Sequence, residues 1–330
     1  MQANPLPGNM SSGELKHWFQ NRGITAQTCV PLTGDVSPRR YFRVETSSSQ
    51  SYILAYYPSA MRSVCLLYSQ TTAVLENATI RVPRILEQDC NTGLMLLEDV
   101  GSTTLYESAF QPWRKLAHYF DQAVVILQRI GELPVEAVSP LNAALGQQRL
   151  SAEIAQTMDL FLGSALESKD RGLAREFHLR LQEICMELGR GVLVPCHRDF
   201  MARNLVPLES PNELAVLDHQ DLTIGPAFYD LASLLNDSLF PPLLYESGLL
   251  RRLGFGSSER TWYHRAAAQR TLKAVGTYHS FADRGFKQHL SLVPKTLGRA
   301  LHHLLQLPET SALCPKLKTA WSPLILEEND

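Results

Sequence analysis

The apolar residues of this chain change their repeat near Gly101, and that switch restricts the possible folds more than any other feature. Before it, the runs RYFRVE and SYILAYY are rich in β-branched and aromatic residues and are separated by a serine-rich turn, the pattern of antiparallel strands. VPRILEQDCNTGLMLLEDVG continues as strand, Asn-Thr-Gly turn, strand. Two helices interrupt this part: residues 12–23, opened by a serine cap with Leu15, Trp18 and Phe19 at helical spacing, and residues 61–78. After Gly101 apolar positions recur three and four apart in WRKLAHYFDQAVVILQRIGELP, LSAEIAQTMDLFLGSAL and LAREFHLRLQEICMELGRG. The sequence therefore predicts a bilobal α+β architecture. A small β-rich lobe would span residues 1–100 and a larger, mainly helical lobe residues 101–330, joined near LMLLEDVGS, with a ligand cleft between them.

A chain of 330 residues, 45% hydrophobic and 19% charged, is long enough for two such cores. A net charge of -2 with a pI near 6.6 gives no electrostatic basis for nucleic acid or an anionic membrane as partner, so neither is expected. No run reaches about 18 consecutive apolar residues, and the first residues lack a basic segment followed by an apolar one, which predicts a cytoplasmic protein. The six cysteines (Cys29, Cys65, Cys90, Cys185, Cys196, Cys314) form no CxxC pair, so buried thiols are expected rather than a zinc site or a disulfide framework. These features carry no sign of an oligomeric state.

Two segments interrupt the helical part: GVLVPCHRDF and ELAVLDHQD each send a short apolar run into a polar cluster. Asp199 and Asn204 are five apart in the loop after the first run, and Asp218 ends the second. Asn204 and Asp218 offer the hard oxygen donors that suit Mg²⁺, an ion that prefers a few such ligands plus phosphate and water. Asp199 would then accept the proton of an attacking hydroxyl, as the base of phosphoryl transfer does. His197 is expected to brace the loop, and Asp230, at a helix start, to act as scaffold. Asp221 is expected to contact the acceptor, complete a second metal site or cap a turn, and Arg203 is a further candidate for the acceptor. Ordinary turn chemistry also favours Asp and Asn in loops, and the competing reading weakens only because two clusters follow a β-rich lobe at matching spacing.

HRDFMARN and LDHQD resemble the catalytic loop HxDxxxxN and the metal-binding segment of aminoglycoside-phosphotransferase-type kinases, which have a protein-kinase-like fold. SPRRYFRV, LMLLEDVG, HRDFMARNL and LDHQDLTIGPAFYDLASLLND extend the likeness to bacterial cell-wall-recycling sugar kinases. The resemblance implies ATP and Mg²⁺ as cofactors, Asp199 as base, Asn204 and Asp218 on the metal, and backbone at Glu98 and Val100 meeting adenine. It implies as acceptor the anomeric hydroxyl of N-acetylmuramate or N-acetylglucosamine. One departure from kinases in general is that the strand SYILAYYP has no lysine for the phosphates, a gap the resemblance implies for the recycling kinases too. Arg39, Arg40 and Arg43 are the nearby cations, while the turn TGDVSPRR, with Gly34, is a poor match to GxGxxG.

From residue 231 onward twelve Lys plus Arg stand against eight Asp plus Glu, the wrong balance for a polycationic aminoglycoside. TYHSFADRGFKQHL, with Tyr278, His279, Arg284, Lys287 and His289, would instead suit a sugar bearing a carboxylate. Alternatives are a choline, homoserine or aminoglycoside kinase, a hydrolase with two metals on His197, Asp199, Asp218, His219 and Asp221, and a nucleotide-binding pseudokinase.

Overall fold

The computed structural model describes residues 11–32, 37–167, 170–210 and 213–325, and Gly34 lies outside them. The chain divides into two compact units, one formed by Met1–Ser102 with Leu208–Gln220 and the other by Thr103–Pro207 with Asp221–Asp330.

In the first unit, α1 (Ser12–Gln20) is opened by Ser11, whose side chain accepts from the Glu14 N–H while the Glu14 carboxylate accepts from the Ser11 N–H. The order continues with β1 (Ala26–Pro31), β2 (Arg40–Thr46), β3 (Ser51–Tyr56), α2 (Arg62–Asn77), β4 (Ile85–Asp89) and β5 (Leu94–Glu98). These strands form one antiparallel sheet ordered β1-β2-β3-β5-β4. Side chains alternate across a strand, so Phe42, Val44, Leu54, Leu94 and Leu96 share the face that α1 covers with Leu15, Trp18 and Phe19. The alternate positions Ala55, Met95 and Leu97 meet Cys65 and Tyr68 of α2 on the other face. Both faces of β5 are thus covered, which is why its run LMLL is apolar without alternation.

Cys65 and Cys90 are joined by a disulfide, which the sequence spacing does not suggest. Packing of α2 on the sheet brings the two together across 25 residues of sequence, a juxtaposition that cysteine spacing does not encode. Cys185, Cys196 and Cys314 are buried thiols and Cys29 is half-buried.

Four short strands follow in chain order: β6 (Leu193–Cys196), β7 (Leu205–Pro207), β8 (Leu214–Val216) and β9 (Thr223–Pro226). β8 belongs to the first unit, where the Val216 N–H donates to the Arg81 carbonyl at 2.8 Å. β6 and β9 pair antiparallel in the second unit, with Val194 opposite Gly225.

The rest of the second unit is helical: α3 (Trp113–Gly131), α4 (Val135–Val138), α5 (Gln147–Thr157), α6 (Gly163–Glu167), α7 (Arg171–Arg190), α8 (Tyr229–Asn236), α9 (Leu243–Arg252), α10 (Ser257–Asp283), α11 (Val293–Leu305) and α12 (Cys314–Trp321). α10 packs against α5, α7, α8 and α11, and every residue from Ala266 to Leu272 is buried. A helix enclosed on all sides carries no amphipathic stripe. Its approach to α5 is close: a Cβ on Gly276 would lie 2.9 Å from the Thr157 Cα, so only glycine fits there. Among the described residues no helix is long and apolar enough to cross a membrane.

Candidate active site

The loop after β6 is held by its backbone. Asp230, in the first turn of α8, accepts the His197 N–H at 2.6 Å, the Arg198 N–H at 2.8 Å and the Cys196 thiol at 3.2 Å. Burial pushes the Asp230 carboxyl above its ordinary range, against the opposing pull of His197 and these hydrogen bonds. Arg198 has φ of +79°, a region uncommon for residues with a Cβ. Its guanidinium meets Glu153 at 3.2 Å and Asp221 at 3.4 Å, and these pairs together with Asp230 hold the strained conformation. His197 is buried with its ring edge-on to Phe200, which is also buried.

Asp199 follows at once. The Asn204 side-chain amide donates to the Asp199 carbonyl at 2.9 Å, so its nitrogen is anchored and its Oδ1 remains as the donor atom for a cation. The Asp199 carboxylate faces two cations from α10, Arg270 at 3.4 Å and Lys273 at 3.5 Å. Burial alone would raise this carboxyl, but the charges of Lys273, Arg270, Arg198 and His197 outweigh it and hold the group well below the usual carboxylate range. Arg270 is also bonded to Asp237 at 2.8 Å and to the Ser233 hydroxyl at 3.1 Å. Sequence reasoning missed Arg270, Lys273 and Asp237. The available signal was the polar segment QRTLK inside an alanine-rich stretch with no exposed face.

Arg203 is committed locally: its Nε donates to the Ser238 hydroxyl at 3.0 Å and its guanidinium lies 3.5 Å from the Tyr106 ring centroid. The residues expected to line an acceptor site are largely turned to packing. Tyr278 stacks with His289, both buried, and His279 stacks on Phe161 at 4.1 Å while its Nδ1 meets the Val275 carbonyl. Arg284 lies over the Phe281 ring, and Lys287 is exposed.

In the first unit Asp218, just beyond β8, has φ of +58°. Its Oδ1 accepts from Arg39 at 2.8 Å, and a second Arg39 nitrogen donates to the Gln220 side-chain Oε1 at 2.9 Å. The neighbouring His219 is fully buried, with Nδ1 2.8 Å from the Thr71 hydroxyl and its ring against Tyr68. Burial pushes the Tyr41 hydroxyl, close to this pair, up to about 12.

The three arginines of the hairpin separate here. Arg39 serves Asp218, whereas Arg43 makes a bidentate pair with Asp99 at 2.7 and 3.2 Å and reaches the Gly101 carbonyl. Arg40 is exposed. Asp99 also accepts the Ser51 hydroxyl at 2.6 Å, so Arg43 belongs to the segment after β5. In that segment the Glu98 N–H donates to the Arg84 carbonyl, the Glu98 carboxylate pairs with Arg81 at 2.6 Å, and Val100 is half-buried.

Residues 28–267 match the family model described as the phosphotransferase enzyme family. Curated relatives include an N-acetylmuramate/N-acetylglucosamine kinase of Pseudomonas aeruginosa, 33% identical over 213 residues that cover 63% of this chain and 60% of that protein. Another of the same name, from Neisseria meningitidis serogroup B, is 29% identical over 68% of this chain and 66% of its own length. A third, from Pseudomonas putida, is 26% identical over 88% of this chain and 87% of its own. The alignments with the first two thus span less than two thirds of those relatives. Solved structures with similar folds include choline kinase LicA from Streptococcus pneumoniae (TM-score 0.58, 16% identity, 88% of this chain and 96% of that one). The GDP complex of aminoglycoside 2'-phosphotransferase-IIIa is another (TM-score 0.62, 14% identity, 88% and 95%). At these identities the likeness establishes the fold, which is α+β and protein-kinase-like, as expected.

Proposed function

The chain belongs to the phosphotransferase enzyme family, and from that premise we propose that it moves the γ-phosphoryl group of ATP to the anomeric hydroxyl of N-acetylmuramate or N-acetylglucosamine. The observation that carries the reading is an ionised Asp199 fixed in a strained loop and ringed by cations. The acceptor oxygen attacks the γ-phosphorus, the bond to the β,γ-bridging oxygen breaks with its electron pair leaving on ADP, and the acceptor's proton passes to Asp199. A carboxylate held so far below its ordinary pKa is a weak base, so it orients the hydroxyl first and takes the proton late. By then O–P bond formation has made that proton acidic.

Asn204 and Asp218 are the proposed ligands of Mg²⁺, and their chemistry fits: an amide oxygen and a carboxylate are hard donors, and the Asn204 nitrogen is already engaged elsewhere. When bound, the ion neutralises phosphate charge. Arg39 is favoured over Arg40 and Arg43 as the substitute for the missing strand lysine, since it alone of the three is bonded to Asp218. Backbone at Glu98 and Val100 is proposed to meet adenine.

The relatives' names support the amino-sugar acceptor. The charge balance leans the same way, because from residue 231 onward twelve Lys plus Arg stand against eight Asp plus Glu, the wrong balance for a polycationic aminoglycoside. The hydrolase alternative loses support from the burial of His197 and His219 against Phe200 and Tyr68. The test is a panel of N-acetylmuramate, N-acetylglucosamine, choline, homoserine and an aminoglycoside with ATP and Mg²⁺, followed by ADP release and phosphorus NMR of the product. A sugar 1-phosphate is expected, and transfer only to an alkyl alcohol or antibiotic hydroxyl overturns the acceptor.

A further inference from the structure

The two α10 cations beside Asp199 are not equivalent. Arg270 is almost fully buried and divides its donors among Asp237, Ser233 and Asp199, so its charge is spent within the protein. Lys273, three residues on and therefore on the same helical face, has a side chain 15% exposed. Among the described residues its ammonium makes one ion pair, to Asp199 Oδ1 at 3.5 Å, well beyond the roughly 2.7–2.9 Å of a strong N⁺–H···O⁻ bond. Three N–H donors on one nitrogen, largely withdrawn from water and held loosely beside the proposed base, have capacity for a second anion. Burying a lysine to this degree opposes its charge and lowers its pKa, and Asp199 offsets part of that cost.

We propose that Lys273 is a catalytic residue of the phosphoryl transfer, its ammonium donating to non-bridging oxygens of the γ-phosphoryl group as that group passes to the acceptor. This rests on the kinase reading above. Lys273 keeps its proton throughout. Its positive charge stays while Asp199 loses its own charge to the acceptor's proton, so the local field turns more positive as the phosphoryl group arrives. Stabilisation of that kind acts on the transition state more than on bound ATP or sugar, and its loss falls on kcat.

The experiment measures kcat and both KM values for wild type, Lys273→Met, Lys273→Gln and Lys273→Arg with ATP and N-acetylglucosamine or N-acetylmuramate, with thermal melts and nucleotide binding alongside. The expected result for Met and Gln is a kcat lowered about 10²–10³-fold, as for removal of one oxyanion donor. Both KM values should stay within about threefold, and Arg should recover part of the loss yet remain about tenfold below wild type, because a planar guanidinium does not reproduce the position of the ammonium. If either neutral variant folds and keeps kcat within about threefold of wild type, or if the loss falls on a KM alone, the inference is overturned and the kinase reading stands. Should neither neutral variant fold, Arg decides: a kcat lowered about tenfold at unchanged KM supports phosphoryl contact, and a wild-type kcat overturns it. If the wild type itself phosphorylates nothing in the panel, the kinase reading fails and the proposal falls with it.

Discussion

Asp199 and Asp218 are both carboxylates at strained turns, yet the fold supports them in opposite ways. At Asp199 the strain sits on the neighbour, Arg198, and the carboxylate stands off from its two cations by 3.4 and 3.5 Å. At Asp218 the strain is the residue's own, and one oxygen is taken by Arg39 at 2.8 Å. A distant pair of charges keeps a carboxylate ionised without occupying the oxygens that must meet a hydroxyl. A single short bond instead aims a carboxylate and fixes its plane, which suits a ligand. Separation from the cation, rather than the charge itself, distinguishes a proposed base from a proposed metal ligand.

The harshest challenge to that contrast is Asp199→Asn, expected to lower kcat about 10³–10⁴-fold while nucleotide binding by calorimetry is unchanged. Retention of a tenth of the activity would remove Asp199 from the chemistry. Asp230→Ala should come next, because it strands two backbone N–H groups in a buried site. Urea unfolding is expected to show a loss of about 2–3 kcal/mol, with a fall in kcat as the loop relaxes. Arg39→Met should raise KM for ATP about tenfold with a smaller change in kcat, and an unchanged KM would leave Arg39 as a structural partner only.

The pH profile sharpens the same comparison. The folded Asp199 carboxyl lies below its unfolded value, so its contribution to stability is complete above that unfolded value and is lost only as pH falls through the lower folded one. The rate profile is therefore expected to lack an acidic limb from Asp199 between about pH 5 and 8, where an unperturbed carboxyl near 4 would begin to intrude. A limb near pH 6 would contradict the cationic ring. The smallest effect belongs to Arg198→Gly, where relief of a positive φ worth about 1–2 kcal/mol opposes the loss of two ion pairs, so the melting temperature should move by only a few degrees.

Much of this was legible in the sequence where one signal answers to one physical cause. β-Branched and aromatic residues in RYFRVE and SYILAYY mark strands because such side chains pack well on a pleated surface, and two apolar runs ending in HRD and LDHQD mark loops that present polar atoms. Lys273 and Arg270 were hidden because α10 is enclosed on all sides, so its polar residues break no stripe that periodicity could reveal. Tyr278, His279 and His289 were misjudged for the opposite reason: rings with polar tips serve a sugar site and an internal stack equally well, and only packing decides between them. Cys65 and Cys90 meet through tertiary packing alone.

The assignment of Leu208–Gln220 to the first unit has a consequence for how the protein is made. After residue 102 emerges from the ribosome, about 105 further residues must be synthesised before the thirteen that finish that unit begin to appear, among them Asp218 and His219, the partners of Arg39 and Thr71. At about 5–20 residues per second that interval is on the order of 10 s. Through that interval the nascent sheet lacks the Asp218 and Gln220 oxygens that Arg39 meets in the folded unit, so the order of synthesis separates the hairpin from the partners of its arginine.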